Sequence, residues 1–356
     1  MSSMSLRPCG DYRTTYRKDT TIFPTRWSRN FAILGIVLAA LFPLIASIYH
    51  MNLAITIAIY GIAALGLNIL VGFTGQISLG HAAFFGFGAF SSAFLNNTYG
   101  VPVVLAIPLA GLMTTAVGMI VGIPAARIKG LYLAIATLAS QFILQDFFAR
   151  ADFFTGGSAG ALAQSFSLFG WEAYGEHNFY YVALTFMVLS YLLATNMLRT
   201  RDGRAFVAVR DHYLSAEVMG VNLTKYRLMS FGISSFYAGI AGALYGHYLG
   251  FVSVESFTIL LSIQFLGMII IGGLGSVMGT LMGTAFMVLL PEVLEGVVAW
   301  LGSAGIVGQS FMTNVVFLKE ASIGLVIVLF LIFEPDGLAH RWRQIKAYWK
   351  LYPFSY

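Results

Sequence analysis

The sequence predicts an all-α integral membrane protein with about ten transmembrane helices. The first observation behind this prediction is composition: 58% of the 356 residues are hydrophobic and only 10% are charged. A soluble domain carries about 25% charged residues, and the mean hydropathy here is +0.80. Folding of a soluble chain this long buries only roughly 75% of its surface. That is too little to hide this much apolar surface from water, so much of it must face lipid.

The second observation is a series of long apolar segments. A helix needs about 20 mainly apolar residues to cross a bilayer. Candidates lie at residues 31–49, 51–72, 77–95, 101–124, 131–149, 178–198, 228–249, 258–272, 280–300 and 321–333. The third is rich in glycine, so it is interpreted either as a straight span or as a broken or re-entrant one. Together they predict a single membrane domain at 31–335, between tails at 1–30 and 336–356.

The third observation is the distribution of positive charge. If the N-terminus is cytoplasmic and the ten segments alternate, 18 of the 20 Lys and Arg residues fall on the cytoplasmic side, as the positive-inside rule requires. Only Arg150 and Lys319 fall outside. This pattern predicts cytoplasmic termini, a cytoplasmic loop at 199–227 and a periplasmic loop at 150–177. Eight or twelve spans would preserve the same parity, so they remain alternatives.

Several classes of function have no support in the sequence. No lysine follows a glycine, so the chain has no phosphate-binding loop for ATP. The histidines are scattered and Cys9 is the lone cysteine, so neither a metal site nor an internal disulfide is expected. Basic residues lie in short runs between apolar segments, so no nucleic-acid partner is expected. Asp146, Glu292 and Glu295 fall in the outer halves of their spans and are interpreted as interfacial carboxylates.

Two glycine-rich stretches are candidates for a translocation path. The first contains Gly72, Thr74, Gly75, Gln76, Ser78 and His81, and the second contains Gly272, Gly273 and Gly275. Irregular backbone at membrane depth is tolerated only where protein buries it or a wet cavity meets it. A simple cytoplasmic turn is the alternative for the first stretch. The second stretch repeats the spacing of the first, which indicates either an internal repeat or chance.

The cytoplasmic loop at 199–227 is the most charged part of the chain. Its candidate coupling residues are Arg210, Asp211, Ser215, Ala216, Glu217 and Gly220. A short amphipathic helix here would suit the groove of a soluble partner, with Asp211 or Ser215 capping its start and Gly220 ending it. The alternative is a solvated connector that only joins two spans.

These stretches resemble the permease family of branched-chain amino acid ABC importers, in particular its LivM-like subunits. The resemblance rests on six segments in family order, at residues 67–90, 203–211, 216–221, 238–244, 272–283 and 333–338. It implies the ribose and branched-chain type of permease fold in a bacterial inner membrane. It also makes the helix around Ala216 and Glu217 the coupling helix.

The resemblance further implies a complex in which this chain is not itself an enzyme. The expected partners are a second related permease forming a heterodimer, two cytoplasmic ATPase subunits that use ATP, and a periplasmic solute-binding protein, all within or beside membrane lipid. No cofactor is expected on this chain. Relatives carry leucine, isoleucine and valine, while others carry urea, amides or aromatic acids. A stand-alone channel or secondary carrier, and an intramembrane enzyme, are the rival classes.

The predicted topology can be tested by thiol labelling in intact cells. In a Cys9→Ser background, we expect an impermeant thiol reagent to label Ser158→Cys and to spare Ser215→Cys until the membrane is opened. The reason is that these positions lie in the predicted periplasmic and cytoplasmic loops. Labelling of Ser215→Cys but not Ser158→Cys in intact cells would show that the true orientation is the opposite of the predicted one.

Overall fold

The computed structural model describes residue 15 and residues 26–128, 130–168, 171–172, 175–303 and 315–351. The all-α class is confirmed. The first half contains α1 (Arg26–Leu41), α2 (Ile48–Asn68), α3 (His81–Tyr99), α4 (Val103–Ala125), α5 (Leu131–Arg150), the short α6 (Asp152–Thr155) and α7 (Gly175–Arg199). The second half contains α8 (Arg201–Asp211), α9 (Tyr213–Val218), α10 (Leu223–Leu249), α11 (Ile259–Gly272), α12 (Val277–Ser303), α13 (Val315–Phe333) and α14 (Gly337–Leu351).

Short elements join these helices. Single 3₁₀ turns lie at Phe42–Leu44, Gly157–Ala159 and Val254–Ser256, and a π-helical turn at Ile69–Phe73 extends α2. Two small antiparallel pairs join β1 (Ala161–Leu162) to β4 (Phe251–Val252) and β2 (Ser167–Leu168) to β3 (Trp171–Glu172). The first pair therefore attaches the loop at 150–177 to the chain that follows α10.

Seven of the described helical segments are long and apolar enough to cross a membrane. They are Ile48–Phe73, Val103–Ala125, Leu131–Arg150, Gly175–Arg199, Leu223–Leu249, Val254–Gly272 and Val277–Ser303. The chain is therefore a multi-pass helical protein by length and composition. Each of the ten predicted segments overlaps a helix, but the number of crossings stays a prediction.

Two predicted boundaries are wrong. The first two spans do not meet near residue 50, because α1 ends at Leu41 and α2 begins at Ile48. Pro43 starts the 3₁₀ turn between them, where its missing N–H interrupts a continuous helix. The third span does not begin at residue 77, since residues 74–80 are irregular and α3 runs unbroken from His81 to Tyr99.

The centre of the subunit is α3, which packs against α4, α5, α10 and α11. Glycine makes the contact between α3 and α10 close. A Cβ added at Gly242 would lie 1.7 Å from the carbonyl oxygen of Phe85, and one at Gly88 would lie 2.3 Å from that of Gly239. Small residues permit such backbone approach between membrane helices, which explains the glycine and alanine run at 238–244.

The two cations predicted outside are each paired with a carboxylate. Arg150 binds Asp146 one turn away on α5 at 2.9 Å. Lys319 on α13 binds Glu295 on α12, and Tyr49 donates a hydrogen bond to Glu292. The carboxylates interpreted as interfacial thus have ion-pair or hydrogen-bond partners. Pairing lowers the cost of placing a cation on the side that the positive-inside rule disfavours.

We expect Gly242→Ala to destabilise the protein by about 1–3 kcal/mol, because the new methyl group overlaps the backbone of α3. Thermal unfolding of the purified protein in detergent measures the effect. Gly324→Ala is the matched control, since a Cβ there meets nothing within 4 Å. The control should be neutral or slightly stabilising, as alanine favours a helix. Equal unfolding temperatures for the two variants would contradict close packing at Gly242.

Candidate functional site

The chain leaves α2 through the π-helical turn and a buried break. Gly75 has φ +70°, a left-handed conformation that glycine adopts at little cost. The Thr74 hydroxyl donates to the carbonyl of Leu70 at 2.6 Å, and Gln76 N–H reaches the same carbonyl at 3.1 Å. Thr74, Gln76 and Ser78 are buried, whereas Gly75 and Ile77 between them are exposed, so the irregular backbone is packed against protein on one side.

Side chains from two other helices satisfy the first amides of α3. The N–H groups of Ala82 and Ala83 donate to Ser262 Oγ and Gln141 Oε1, both at 2.9 Å. Just before the helix, Leu79 N–H donates to Thr137 Oγ1 at 3.0 Å. A helix start leaves its first N–H groups without the usual i−4 partner, and these side chains supply acceptors there and just before it. None of these three acceptors is among the residues predicted from the sequence, where the only signal for each is a polar residue within an apolar helix.

His81 and Gln76 connect the break to neighbouring helices. His81 Nε2 lies 2.8 Å from the carbonyl oxygen of Ala63 on α2, so this nitrogen carries the proton. Gln76 Nε2 donates to Ser230 Oγ on α10 at 2.7 Å. Among the described residues, Gln76 Oε1 and Ser78 Oγ are buried without a hydrogen-bond partner. These side chains hold α2, α3 and α10 together.

The two glycine turns, defined as residues 72–75 and 272–275, lie against each other. Asn68 Oδ1 accepts from Gly275 N–H at 2.9 Å, and Asn68 Nδ2 donates to Thr280 Oγ1 at 2.8 Å. A Cβ at Gly72 would lie 2.4 Å from the nitrogen of Gly275. The two glycine-rich stretches, whose glycine spacing is repeated in the sequence, are therefore neighbours in space. Asn68 joins them, although it is not among the candidate residues predicted from the sequence.

Arg210 lies between the two glycine turns and reaches both. Its Nη1 donates to the carbonyl of Gly72 at 2.6 Å, and a Cβ at Gly275 would lie 3.0 Å from the same nitrogen. Its Cγ would lie 3.1 Å from a Cβ at Gly75. Arg210 Nε binds Asp211 at 2.8 Å. The guanidinium group thus points into the spans and connects α8 with two turns that are distant in sequence.

The remaining two glycines of the second turn lie deeper. A Cβ at Gly272 would lie 2.2 Å from the carbonyl oxygen of Gly279 on α12. Gly273 has φ +106°, and its Cβ would lie 2.8 Å from the carbonyl oxygen of Asp336. Both positions are buried, so they pack α11 against α12 and the start of α14. Their predicted role in translocation, like that of the first turn, stays a prediction.

The predicted helix in the cytoplasmic loop is present as α9, but its start differs. Asp211 ends α8, Ser215 lies inside α9, and the residue before α9 is His212, with φ −149°. The capping prediction for Asp211 and Ser215 is therefore wrong. The chain stays helical through Asp211 because α8 buries Phe206 and Val209.

The predicted end of α9 is confirmed. Gly220 has φ +86°, and Val221 N–H returns to the carbonyl of Ala216 at 2.9 Å, which is the glycine-ended geometry of a helix C-terminus. Ala216 is buried, while Ser215 and Glu217 are exposed. Apolar side chains surround Glu217 on the open surface: Val218 is 87% exposed and Met219 is 84% exposed.

A glycine-rich backbone break between apolar helices is an arrangement found in membrane transport proteins. The sequence comparisons agree. The family model described as "Branched-chain amino acid transport system / permease component" matches residues 49–333, so the chain belongs to that family. No solved structure matches.

Three relatives are transport permeases named LivM. The proteins of Salmonella typhimurium and Escherichia coli, each a "High-affinity branched-chain amino acid transport system permease protein LivM", are 32% identical over 86% of this chain and 74% of their own length. A "Probable branched-chain amino acid transport permease protein LivM" of Methanocaldococcus jannaschii is 28% identical over 66% of this chain and 67% of its own length. The expected LivM-like resemblance is confirmed, and these relatives are permeases rather than enzymes.

We expect Asn68→Ala to lower the stability of the protein by about 1–3 kcal/mol, because the partly buried N–H of Gly275 loses its acceptor. Thermal unfolding in detergent measures the loss. Asn97→Ala is the matched control, since Asn97 makes an exposed bond to the carbonyl of Leu162 and should change stability by about 0.5 kcal/mol or less. Identical unfolding curves would show that Asn68 does not hold the two turns together.

Proposed function

We propose that this chain is a membrane-spanning permease subunit of an ATP-driven importer that moves branched-chain amino acids into the cytoplasm. Membership of the family across residues 49–333 supports the permease role. The printed names of the LivM relatives support the solute class. The proposed complex contains a second related permease, two cytoplasmic ATPase subunits and a periplasmic solute-binding protein. This chain binds no nucleotide, and its partner subunits use the ATP.

The proposed topology has ten spans of the ribose and branched-chain permease type, with both termini in the cytoplasm of a bacterial inner membrane. The location of 18 of 20 Lys and Arg residues in the N-tail, the C-tail and two loops supports this orientation. The two exceptions are neutralised locally by Asp146 and Glu295, so they weaken the charge pattern little.

The observation that carries the coupling proposal is the contact of Arg210 with both glycine turns. A permease without a nucleotide site receives energy through an element that moves and biases two states of its spans. Arg210 belongs to the cytoplasmic loop, yet its guanidinium group binds the backbone at Gly72 and lies beside Gly275. Movement of α8 would therefore pull on the ends of α2 and α11 together.

The proposed docking element is α9. Its exposed surface combines Glu217 with the apolar side chains of Leu214, Val218 and Met219, as a helix that enters a groove on a soluble partner would. Gly220 lets the chain turn away directly after the helix. In this proposal α9 contacts the ATPase, and the adjacent α8 carries the movement to Arg210.

We expect Glu217→Ala and Gly220→Val to weaken association with the ATPase subunits. Loss of one partner of a desolvated charge pair costs about 2–5 kcal/mol, and valine resists the left-handed backbone at Gly220 by about 1–3 kcal/mol. Arg210→Lys should instead leave association intact and reduce leucine uptake per ATP hydrolysed, because lysine cannot reproduce the planar guanidinium contact. Co-purification and solute-stimulated ATP hydrolysis of the reconstituted complex separate these effects.

Glu255→Ala and Gly296→Val are the matched controls. Glu255 is exposed in the turn after β4, and a Cβ at Gly296 meets nothing within 4 Å. If all three test variants keep full association with the ATPase subunits and full solute-stimulated ATP hydrolysis, the loop at 199–227 is only a solvated connector. Uptake that persists without any ATPase subunit would instead favour a stand-alone carrier. Stimulation by urea or an aromatic acid, and not by leucine, would correct the solute class.

A further inference from the structure

The last described helix, α14, begins close to the end of an apolar helix. Only three residues separate it from Phe333, the last residue of α13. The final residues of α13, Leu331, Ile332 and Phe333, are exposed, and Phe333 is exposed over 75% of its surface. Apolar side chains this open in a membrane protein face lipid or another subunit. The start of α14 therefore lies close to the end of the apolar layer.

The first turn of α14 is fixed to the body of the protein. Gly337 and Ala339 are buried, and a Cβ at Gly273 would lie 3.3 Å from the Cβ of Ala339. Arg341 forms an ion pair with Glu334, which lies just before the helix. The direction in which α14 leaves the glycine turn is set by these contacts.

One face of α14 is apolar and passes from the protein core to the open surface. Leu338, Trp342 and Ile345 are spaced by four and three residues, so they lie on the same side of the helix. Leu338 packs against the core, whereas Trp342 is 43% exposed and Ile345 is 48% exposed. The stripe therefore continues from the packed Leu338 to two side chains that are nearly half exposed.

The rest of α14 is basic. Its sequence contains Arg341, Arg343, Lys346 and Lys350 and no acidic residue. The Lys346 ammonium group lies 5.4 Å from the centre of the Trp342 ring, so its aliphatic stem runs beside the apolar stripe. Aromatic and aliphatic residues on one face with Lys and Arg beside them are typical of helices that lie in the membrane interface.

We propose that α14 lies along the membrane surface and binds the headgroups of anionic lipids. The apolar stripe would enter the boundary between headgroups and acyl chains, and the cations would meet lipid phosphates. Charge complementarity selects an anionic surface, because each Lys or Arg near one strengthens attachment roughly fivefold. Continuity of the stripe with Leu338, which is partly buried against the core, selects a membrane over a soluble protein, since the same side of the helix faces the membrane domain.

The test is hydrogen–deuterium exchange of the full chain in lipid nanodiscs. One set of discs contains phosphatidylcholine alone, and the other contains about 30% phosphatidylglycerol. We expect amides of the second half of α14 to exchange at least about 10-fold more slowly in the phosphatidylglycerol discs, with the difference lost in high salt because the attraction is screened. This comparison needs no variant, so a folding defect cannot obscure it.

Arg343→Glu with Lys346→Glu should abolish the difference between the two lipids. Arg127→Glu with Lys225→Glu is the charge-matched control, which changes the net charge equally at two positions away from α14 and should retain the difference. Equal exchange in both lipids for the unmodified chain would overturn the proposal. Protection that arises only after the ATPase subunits are added would overturn it too, because α14 would then be a protein-binding surface.

Discussion

The structure depends on satisfying the backbone of the helix break at residues 74–80. Within lipid an unpaired N–H or carbonyl group costs several kcal/mol, so residues 74–80 can be irregular only if other groups surround them. Thr137, Gln141 and Ser262 supply acceptors for the start of α3. This requirement explains why α3 lies at the centre, since only an enclosed helix can receive side chains from both α5 and α11.

The same requirement accounts for the glycine content of the core. Because α3 is enclosed, its neighbours must approach its backbone closely, and Gly239 and Gly242 permit this on α10. At the predicted cytoplasmic end, the two glycine turns approach so closely that Asn68 accepts from the backbone N–H of Gly275, while Arg210 donates to the carbonyl of Gly72 and lies beside Gly275. Polar contacts are therefore concentrated where helices end, and apolar and glycine contacts fill the space between.

This arrangement gives the surface predicted to be cytoplasmic two elements with different surroundings. The helix α9 is open on the side that holds Glu217 and Met219, and its buried Ala216 faces inward. The helix α14 is fixed at Gly337 and open along Trp342 and Ile345. Each helix is connected to a glycine turn. The helix α9 is connected through the adjacent α8 and its Arg210, and α14 is connected through Gly273. Both helices are thus joined by short chains of contacts to the two packed turns.

The sequence alone determined the helical membrane class, the apolar segments and the family, because composition, apolar length and ordered motifs are local properties. It also located the break near Gly75 and the end of α9 at Gly220, where glycine allows a positive φ. Only the tertiary structure decided that Asn68, Gln141 and Ser262 complete the break and that Arg210 points inward. Those contacts join residues more than 50 positions apart, and the partner of a hydrogen bond depends on how helices pack rather than on the sequence around either residue.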